Sequence, residues 1–330
     1  MSRTAFPWFH TRLQAMNFPF EIARDREFDV VGFGTNAVDF LIRVPHYPEF
    51  DSKVELNDYI RAAGGEVATA MVGLQRLGLR TAYAGRFGKE PTGDFGLESL
   101  TSEGVDVSFS EQIKGAVTQI AFIIIDERNG ERTVIWKRDR KLKFKKNEAP
   151  IDAVRMSSVL HLTPHDTKAC IRMAKEATKA GTIVSIDIDK KFKRMDDLLP
   201  NVDLMICSEQ FASLVFGECP PEKGLQKLQE EYGCPVVGMT QGEKGSLLLC
   251  EDTFYRSRAY VVPGGCKDTT GAGDSFRAGL LYGLLKGLSI KETCHRANAV
   301  AALKCRAVGA RTSLPSEEEL ENLITAGERL

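Results

Sequence analysis

The sequence lacks the marks of three common classes of protein. No stretch of its residues approaches the ~18 uninterrupted apolar positions of a membrane span. The basic excess of a nucleic-acid-binding domain is also missing, since 44 lysines and arginines are balanced by 45 aspartates and glutamates. No two of the eight cysteines stand at CxxC spacing, which argues against a zinc site. We therefore expect no membrane span, no nucleic-acid partner and no zinc.

The cysteines and the N-terminal segment indicate a cytoplasmic protein. Most of the cysteines lie inside apolar runs such as "LMICSE" and "ALKCR", where reduced core thiols are expected. The first 27 residues contain aromatic side chains but no continuous apolar segment, so they do not resemble a signal peptide. We assign residues 1–27 to an N-terminal tail, which could pack on the domain, pack on a second subunit or be disordered.

Apolar runs of strand length alternate with helical patterns along most of the chain, without internal repeats or low-complexity tracts. This alternation predicts an α/β fold with a mainly parallel central sheet and helices on both faces. From residue 159 onward the strand segments are almost wholly apolar, as in strands buried on both faces. The predicted strands cover residues 28–34, 80–88, 116–126, 132–137, 159–163, 182–189, 202–207, 235–240 and 245–251, and the predicted helices cover residues 66–78, 166–181, 222–233 and 274–287.

Two regions, at about residues 40–65 and 116–139, depart from this alternation. Both contain short strand patterns joined by turn residues, and the Asn-Gly pair in "ERNGER" predicts a hairpin. We expect these strands to form a small separate sheet that acts as a lid over one end of the main sheet. One face of this sheet is predicted to be apolar, suited either to a subunit interface or to covering a substrate. The residues predicted on that face are Ile120, Phe122, Ile124 and Val134.

The segment "DTTGAGDSF" (268–276) directly precedes an apolar helical pattern and therefore lies at a helix start. The first N–H groups of a helix have no internal partner, and the helix dipole favours negative charge there. Gly271, Ala272 and Gly273 place no bulky side chain over these N–H groups, so a phosphate could reach them. The turn is not a Walker A loop, because the G-x-x-x-x-G-K-[ST] pattern is absent. It predicts an anion site of another kind.

Asp274 has two interpretations at this turn. Its carboxylate could cap the helix, with the glycines serving only the turn. Alternatively, it could take the proton from a hydroxyl group that then attacks the bound phosphate. The nine residues of the segment leave both interpretations open.

Five segments of the chain, within roughly residues 28–325, resemble the ribokinase-like (PfkB) carbohydrate kinases. "DTTGAGD" is close to the family's C-terminal signature, and "AAGGEVATAMVGLQRLGLRTAYAGRFGKEPTGDFGLESLTSEGVDV" follows its N-terminal signature. "GFGTNAVDFLIRV", "MTQGEKGSLL" and "RANAVAALKCRAVGARTSLP" are similar to its first strand, nucleotide loop and C-terminal helix. The resemblance implies a three-layer ribokinase-like fold with a small β-sheet lid, in one kinase domain over residues 28–330.

The resemblance also implies a reaction, the transfer of the γ-phosphoryl group of ATP to a hydroxyl of a sugar-type substrate. Asp274 matches the catalytic base of the family. The N–H groups of Gly271, Ala272, Gly273 and Asp274 match its anion hole, which stabilises the charge that develops during transfer.

Further matched positions concern the substrate, the nucleotide and ions. The resemblance implies ATP, Mg²⁺ that arrives with ATP and, as in many members, K⁺. The substrate positions are Asp39, Gly64, Gly65 and Thr69. The nucleotide positions are Thr240, Gly242, Gly245, Ser208, Glu209 and Asn298. The K⁺ positions are Asp268, Thr270, Gly309 and Ser313.

Three departures from the family pattern leave the identity of the substrate open. Thr69 stands where the family usually has a sugar-binding Asn, Glu90 replaces an Asp, and the segment 208–211 lacks the final Glu of the "NxxE" motif. "VSIDIDK", "ICSEQFASLVFG" and "NGERTVIW" are similar to the ketohexokinase branch, so fructose or another ketose is a lead. The alternatives are a nucleoside or sugar-phosphate kinase on the same fold and a non-catalytic nucleotide- or sugar-binding regulator.

The lid region and one strand end supply the remaining candidates. Thr163, His165 and Asp166 follow a strand whose carboxyl end should face the site. Arg138 and Arg140 could clamp an anionic substrate or only form a solvated face. Because the family's lid sheet often pairs with a second copy, the resemblance implies a homodimer through this sheet.

Overall fold

Segments rich in β-branched and aromatic residues form the strands, because these side chains pack well on a pleated, buried surface. The computed structural model of the protein describes residues 17–128 and 132–330, and fourteen strands lie in these ranges. They are β1 (Phe28–Phe33), β2 (Ala37–Val44), β3 (Asp58–Gly64), β4 (Thr81–Ala84), β5 (Arg86–Gly88), β6 (Glu111–Ile113), β7 (Ile120–Asp126), β8 (Arg132–Lys137), β9 (Ser157–Leu162), β10 (Ile183–Ile188), β11 (Leu204–Ser208), β12 (Val236–Thr240), β13 (Ser246–Cys250) and β14 (Thr253–Ser257). Every predicted strand segment contains a strand, although 80–88 forms two, and the sequence did not predict β6 and β14.

Four of the helices follow the predicted helical segments, and several helices begin at a side-chain cap. In the described ranges the helices are α1 (Glu66–Arg76), α2 (Pro91–Thr101), α3 (Ile151–Arg155), α4 (Thr167–Ala180), α5 (Met195–Leu198), α6 (Glu209–Phe216), α7 (Pro221–Tyr232), α8 (Ala272–Leu285), α9 (Ile290–Lys304) and α10 (Glu317–Ala326). The four that follow predicted segments are α1, α4, α7 and α8. Short 3₁₀ turns cover Arg140–Leu142, Lys146–Glu148, Pro164–Asp166, Leu199–Asn201 and Gly242–Lys244. Capping boxes at Ser289 and Ser316 begin α9 and α10. Among these helices, none is both long and apolar enough to span a bilayer.

The main sheet has eight strands in the order β14-β13-β12-β11-β10-β9-β1-β4. From β4 to β12 neighbouring strands are parallel, whereas β12, β13 and β14 pair antiparallel. Strands β9 and β13 are buried along their whole length, as expected for strands covered on both faces. This topology confirms the predicted mainly parallel sheet.

Helices cover both faces of this sheet. One hydrophobic cluster joins the sheet to α1, α8, α9 and α10, and a second cluster joins its other face to α3, α4, α6 and α7. The result is a three-layer α/β arrangement. The carboxyl ends of the parallel strands lie at one edge of the middle layer, where α/β folds commonly bind ligands.

A separate four-stranded sheet, here called the lid sheet, has the order β3-β2-β7-β8. Its strands come from the two regions that the sequence set apart, and β2 pairs parallel with β7. Leu41, Ala121, Ile123 and Ile125 are buried on one face and contact Val308 of the main domain. This is the inward face of the lid sheet. The turn predicted in "ERNGER" falls at residues 129–131, outside the described residues.

The predicted apolar face of the lid sheet is correct for three residues and wrong for Val134. Side chains of residues paired across a sheet point to the same face. Val134 pairs with Ile123, so it lies on the inward face, whereas Phe122 pairs with Ile135 on the outward face. The sequence pattern could not show this, because alternation along one strand does not define the register in which that strand pairs with its neighbour.

Residues 17–27 pack against the main domain. Phe18 is buried in the cluster that holds α1 and α8. Arg24 donates a hydrogen bond to the carbonyl of Leu285 at 3.1 Å, and Arg26 donates to the carbonyl of Ala180 at 2.7 Å. These contacts attach the described part of the tail to the outer surface of the domain, away from the strand ends.

Candidate active site

A cleft of about 580 Å³ lies between the carboxyl ends of the main strands and the first turn of α8. Thr240 and Ser208 end β12 and β11 at this cleft, and Asp187 belongs to β10. Asp274 reaches it from the first turn of α8. The cleft therefore collects residues that are far apart in sequence at the edge where parallel strands end.

The first turn of α8 leaves backbone N–H groups open to this cleft. Gly271 has φ +78°, and a Cβ atom there would lie 3.0 Å from the carbonyl oxygen of Ala310, so the turn needs glycine. The N–H of Ala272 already donates to the carbonyl of Thr269 at 3.1 Å. Of the four N–H groups matched to the anion hole, those of Gly271, Gly273 and Asp274 have no protein acceptor within the described residues.

Asp274 is half-buried beside these N–H groups. Burial raises the pKa of its carboxyl well above the usual value, the carboxylates of Asp187 and Glu66 raise it further, and Arg277 opposes them. A carboxyl with a raised pKa binds a proton more strongly than an exposed aspartate. Asp274 thus lies beside open N–H groups and has a raised proton affinity, and both features suit a general base.

Arg277 lies one helical turn after Asp274 and is buried with only 4% of its surface exposed. Its Nη2 atom lies 2.5 Å from Oδ1 of Asp187 and donates to the carbonyl of Ile206 at 3.4 Å. Burial raises the pKa of Asp187 to about 7, Arg277 lowers it, and Glu66 raises it. The sequence analysis missed Arg277, although its i+3 spacing from Asp274 places both on one helix face.

Three residues expected to bind the acceptor substrate, Asp39, Gly64 and Gly65, meet where the start of β2 pairs with the end of β3. Asp39 is 5% exposed on the inward face of the lid sheet, and burial raises the pKa of its carboxyl to about 6, against the influence of Arg311. A Cβ atom at Gly64 would lie 1.9 Å from Oδ2 of Asp39. Gly65 has φ +92°, and a Cβ atom there would lie 2.4 Å from the Cα atom of Asn36. Both glycines permit this close approach of the two strands.

Thr69 faces a buried arginine that the sequence analysis did not identify. Nε of Arg311 donates to Oγ1 of Thr69 at 3.4 Å, and Nη1 donates to Oγ of Ser99 at 3.1 Å. Nη2 donates to the carbonyl of Gly64. Burial lowers the pKa of Arg311 to about 10, while Asp39 raises it. Thr69, at the position where the resemblance leads one to expect an Asn, thus contacts Arg311.

A second cavity, of about 270 Å³, lies behind the first turn of α8 and is mostly apolar. Thr240, Gly242, Gly245 and Asn298, all expected on the nucleotide side, line it. Nδ2 of Asn298 donates to Oγ of Ser246 and to the carbonyl of Cys294, both at 2.9 Å. Such a cavity suits the flat apolar ring of a base.

The two cavities adjoin at the anion turn. Thr240, Thr269 and Gly273 line both of them. A molecule with its ring in the second cavity would therefore direct its distal end past the open N–H groups toward Asp274. Ser208 lines the first cavity, whereas Glu209 accepts a hydrogen bond from Nε2 of Gln241 at 2.9 Å and so contacts the nucleotide loop.

No group of three or more metal-ligating side chains forms a metal cage within residues 17–128 and 132–330. The cleft does contain the carboxylates of Glu66, Asp187 and Asp189. Mg²⁺ usually keeps several waters and is held by one or two carboxylates together with substrate phosphates. The residues therefore fit Mg²⁺ that arrives with a nucleotide, and its chemistry would be to neutralise phosphate charge.

The positions expected to hold K⁺ lie in one cluster beneath the turn. Oδ1 of Asp268 accepts from the N–H of Thr270 and Oδ2 accepts from the N–H of Gly309, both at 2.8 Å. Ser313 donates to the carbonyl of Lys304. The ammonium of Lys304 is in the same cluster and donates to the carbonyl of Asp268 at 2.7 Å.

Arg138 is not free to bind an anionic substrate, as the sequence analysis considered, because it is paired with Asp166. Arg138 binds Asp166 with both terminal nitrogens, at 3.0 and 2.8 Å, and Asp166 is 4% exposed. This buried pair is structural, while Arg140 is exposed in a 3₁₀ turn. Of the residues after β9, His165 reaches the cleft, with Nδ1 3.6 Å from Oε2 of Glu66, and Thr163 is buried.

Two residues of β8 reach across from the inward face of the lid sheet to the main domain. Arg132 donates a hydrogen bond to Oγ1 of Thr269 in the anion turn. The Nζ atom of Lys190 lies 5.8 Å from the ring centre of Trp136. The lid sheet therefore contacts the loops that border the cleft.

Known proteins resemble this chain along nearly its whole length. Residues 28–317 match the model of the pfkB family of carbohydrate kinases. A nucleoside kinase of Methanothermobacter thermautotrophicus is 28% identical over 314 residues, which cover 90% of this chain and 96% of that protein. A fructokinase of Escherichia coli is 29% identical over 301 residues, which cover 83% of this chain and 94% of that protein.

A solved structure shows the same fold. The ribokinase of Arabidopsis thaliana, complexed with ribose and ATP, superposes with a TM-score of 0.77 at 23% identity, over 91% of this chain and 99% of that chain. This likeness confirms the three-layer ribokinase-like fold. From the family match over residues 28–317, we conclude that this protein belongs to the pfkB family and is a kinase that uses ATP to phosphorylate a hydroxyl group of a sugar or nucleoside.

Proposed function

We propose that this kinase transfers the γ-phosphoryl group of ATP to a hydroxyl of a sugar or sugar-like molecule, with Asp274 as the catalytic base. One observation carries the proposal: Asp274 lines the cleft next to Gly273, which lines both cavities, and beside N–H groups that have no protein acceptor within the described residues. The apolar cavity would hold the base of ATP, and the acceptor would lie between Asp274 and Asp39, whose carboxylate is close enough to raise the pKa of Asp274.

The chemistry follows from this placement. The Asp274 carboxylate accepts the proton of the attacking hydroxyl, whose oxygen forms a bond to the γ-phosphorus as the bond from that phosphorus to the β,γ-bridging oxygen breaks. ADP leaves with the electron pair of the broken bond. The N–H groups of Gly271, Gly273 and Asp274 would stabilise the charge on the transferred group. Ala272 contributes through its position in the helix, since its own N–H is already bonded.

The acceptor would be held by Asp39. Its carboxylate is buried, and in the described chain it forms no salt bridge, so it remains available to accept hydrogen bonds from paired hydroxyls. Gly64 and Gly65 bring the backbone close to the same place. These features favour a polyhydroxy acceptor, among which a ketose is our first choice.

A nucleoside acceptor is the second candidate, and Trp136 is the observation that favours it. The indole lies on the inward face of the lid sheet and is 52% exposed, so it offers an aromatic surface on which a base could stack. A sugar-phosphate acceptor could not use Arg138, which is paired with Asp166, and would be bound instead by other cations that line the cleft, such as Lys143 and Lys190.

We further propose that the kinase is a homodimer in which a second copy covers the outward face of the lid sheet. Phe40 and Phe122 stack there with ring centres 5.2 Å apart, and Phe122 and Ile135 are 41% and 55% exposed. Contiguous exposed apolar surface is unusual on a monomer. Light scattering should give twice 36.5 kDa.

Two variants test the dimer. Phe122→Glu should give the monomer mass, because it puts a charge in the interface. Leu214→Glu, which alters an exposed apolar residue on α6, should remain dimeric. A wild-type mass of 36.5 kDa would contradict the proposal.

The decisive experiment for catalysis is an ATP-consumption screen with Mg²⁺ against ketoses, aldoses, sugar phosphates and nucleosides. Asp274→Asn should lower kcat for the best acceptor by about 10²–10⁴-fold, the usual contribution of a general base. ATP binding, measured by calorimetry, should persist. The control is Asp252→Asn, which changes an exposed turn aspartate and should leave kcat unchanged. If the Asp274→Asn variant had the same kcat as the wild type, Asp274 would not be the catalytic base.

A further inference from the structure

Lys304, the last residue of α9, is completely buried, with 0% of its surface exposed. Lysine is rarely buried to this extent unless it is paired. Its Nζ atom donates to the carbonyl of Asp268 at 2.7 Å and lies 3.7 Å from Oδ2 of the same residue. An ammonium group therefore lies under the turn that leads into α8, bonded to Asp268.

This position coincides with the expected K⁺ site, and the residues there do not fit a free ion. The carbonyl of Asp268 is bonded to Lys304, and both carboxylate oxygens accept backbone N–H groups of Thr270 and Gly309. The hydroxyl of Ser313 is bonded to the carbonyl of Lys304. Most of the side-chain oxygens expected to bind K⁺ thus already have a partner, Oγ1 of Thr270 being the exception among the described residues, and the positive charge is already present.

We propose that the Lys304 ammonium replaces the monovalent cation, so that this kinase works without K⁺. The inference rests on the proposed function for its catalytic consequence. Lys304 would be a positioning residue, because it reaches the site through the Asp268 loop and does not itself touch the cleft.

The contacts show how Lys304 would act. It ties the end of α9 to Asp268, and the next residues of that loop, from Gly271 to Asp274, carry the open N–H groups. The N–H of Lys267 donates to the carbonyl of Cys305 at 2.8 Å, which adds a second tie between the same segments. Without the ammonium, the loop would lose its anchor and the buried Asp268 carboxylate would lose its counter-charge.

Both members of the pair are expected to be charged. Burial alone would raise the pKa of Asp268, but Lys304 and the N–H groups of Thr270 and Gly309 hold it below its usual value. Burial lowers the pKa of Lys304, and Asp268 opposes this. The ammonium of this pair supplies the same single positive charge as a potassium ion.

The wild-type enzyme gives the first test. Its kcat with the best acceptor should be the same, within about twofold, in potassium chloride and in tetramethylammonium chloride at equal ionic strength. A tenfold or greater stimulation by K⁺ would overturn the proposal.

Variants at Lys304 give the second test. Lys304→Ala opens space and removes the charge, so its activity should fall at least tenfold in tetramethylammonium and recover in part when K⁺ is added. Lys304→Met removes the charge but fills the space, so K⁺ should not rescue it. Lys291→Ala, which changes an exposed lysine on the same helix, is the control and should match the wild type in both salts. Full activity of Lys304→Ala without K⁺ would overturn the proposal.

A measurement without turnover separates this inference from the proposed function. Potassium chloride should raise the melting temperature of Lys304→Ala above its value in tetramethylammonium chloride, whereas the wild type should melt at the same temperature in both salts. The result stands even if no acceptor is phosphorylated. K⁺ that stabilises the wild type as much as the variant would contradict the inference. If Lys304→Ala does not fold, the kcat and the melting temperature of the wild type in the two salts still test the proposal.

Discussion

Arg277→Met should destabilise the protein strongly, because it leaves a buried carboxylate without its partner. Nη2 of Arg277 lies 2.5 Å from Oδ1 of Asp187, and the two side chains are only 5% and 14% exposed. Methionine keeps much of the arginine stem and removes the charge. Breaking a buried pair by removing one partner typically costs about 3–5 kcal/mol. We therefore expect the free energy of unfolding to fall by about that amount at pH 8.

The loss should become smaller as the pH falls. Burial raises the pKa of Asp187 to about 7, and Arg277 is the strongest influence that lowers it. Without Arg277 this pKa rises further, so Asp187 takes up a proton more readily. A protonated carboxyl leaves no unpaired charge in the interior, and the loss at pH 6 should be clearly smaller than at pH 8.

Urea unfolding followed by circular dichroism at pH 6 and pH 8 measures both effects. The double variant Arg277→Met, Asp187→Asn should regain most of the lost stability, because replacing both charges is close to neutral. Arg296→Met is the control: it breaks a pair with Glu321, which is 44% exposed, and should cost about 1 kcal/mol or less. Equal losses in Arg277→Met and Arg296→Met, or a double variant no more stable than Arg277→Met, would refute the reasoning.

Three further predictions concern the site. Gly245→Ala should lower the free energy of unfolding by several times the ~1–2 kcal/mol of a left-handed alanine and abolish nucleotide binding in calorimetry, because its Cβ would lie 2.0 Å from the carbonyl oxygen of Ser257. In the control Gly233→Ala the new Cβ has nothing within 4 Å, so only the cost of the backbone conformation is expected, and equal losses of stability in the two variants would contradict this prediction. The pH profile of kcat/KM should fall on the acid side with a midpoint above the ordinary carboxyl range, because the raised pKa of Asp274 protonates the base as the pH drops; a midpoint near pH 4 would count against Asp274. Asp39→Asn should raise KM for the acceptor about tenfold or more, since a buried acceptor of hydroxyl hydrogen bonds is lost, and should leave KM for ATP unchanged; a rise in KM for ATP alone would place Asp39 elsewhere.

Most of the fold could be predicted from the sequence because its signals are local. The apolar runs that became β9 to β13 and the helical pattern of α8 depend on residues a few positions apart. The glycine-rich turn could be located for the same reason, since helix starts are marked within one turn. β14 was missed because it is mostly half-exposed, unlike the equally short β13, which leaves no continuous apolar run to recognise.

The partners of the site residues could not be predicted in this way. Arg138 was considered as a substrate clamp, and its pair with Asp166 depends on a contact between segments 28 residues apart. Val134 was assigned to the wrong face because strand register is set by pairing. Arg311 was not considered at all, although it donates to the carbonyl of Gly64, 247 residues away.

The sequence by itself determined the alternation of strands and helices, the anion turn at the start of α8 and the position of Asp274 within it. These features arise from backbone preferences and side-chain periodicity over short distances. Only the tertiary structure decided which charges meet, as in the pair of Arg277 with Asp187 and the buried ammonium of Lys304 at Asp268. An ion pair becomes strong only when folding removes water from both groups, and that depends on the packing of the whole chain.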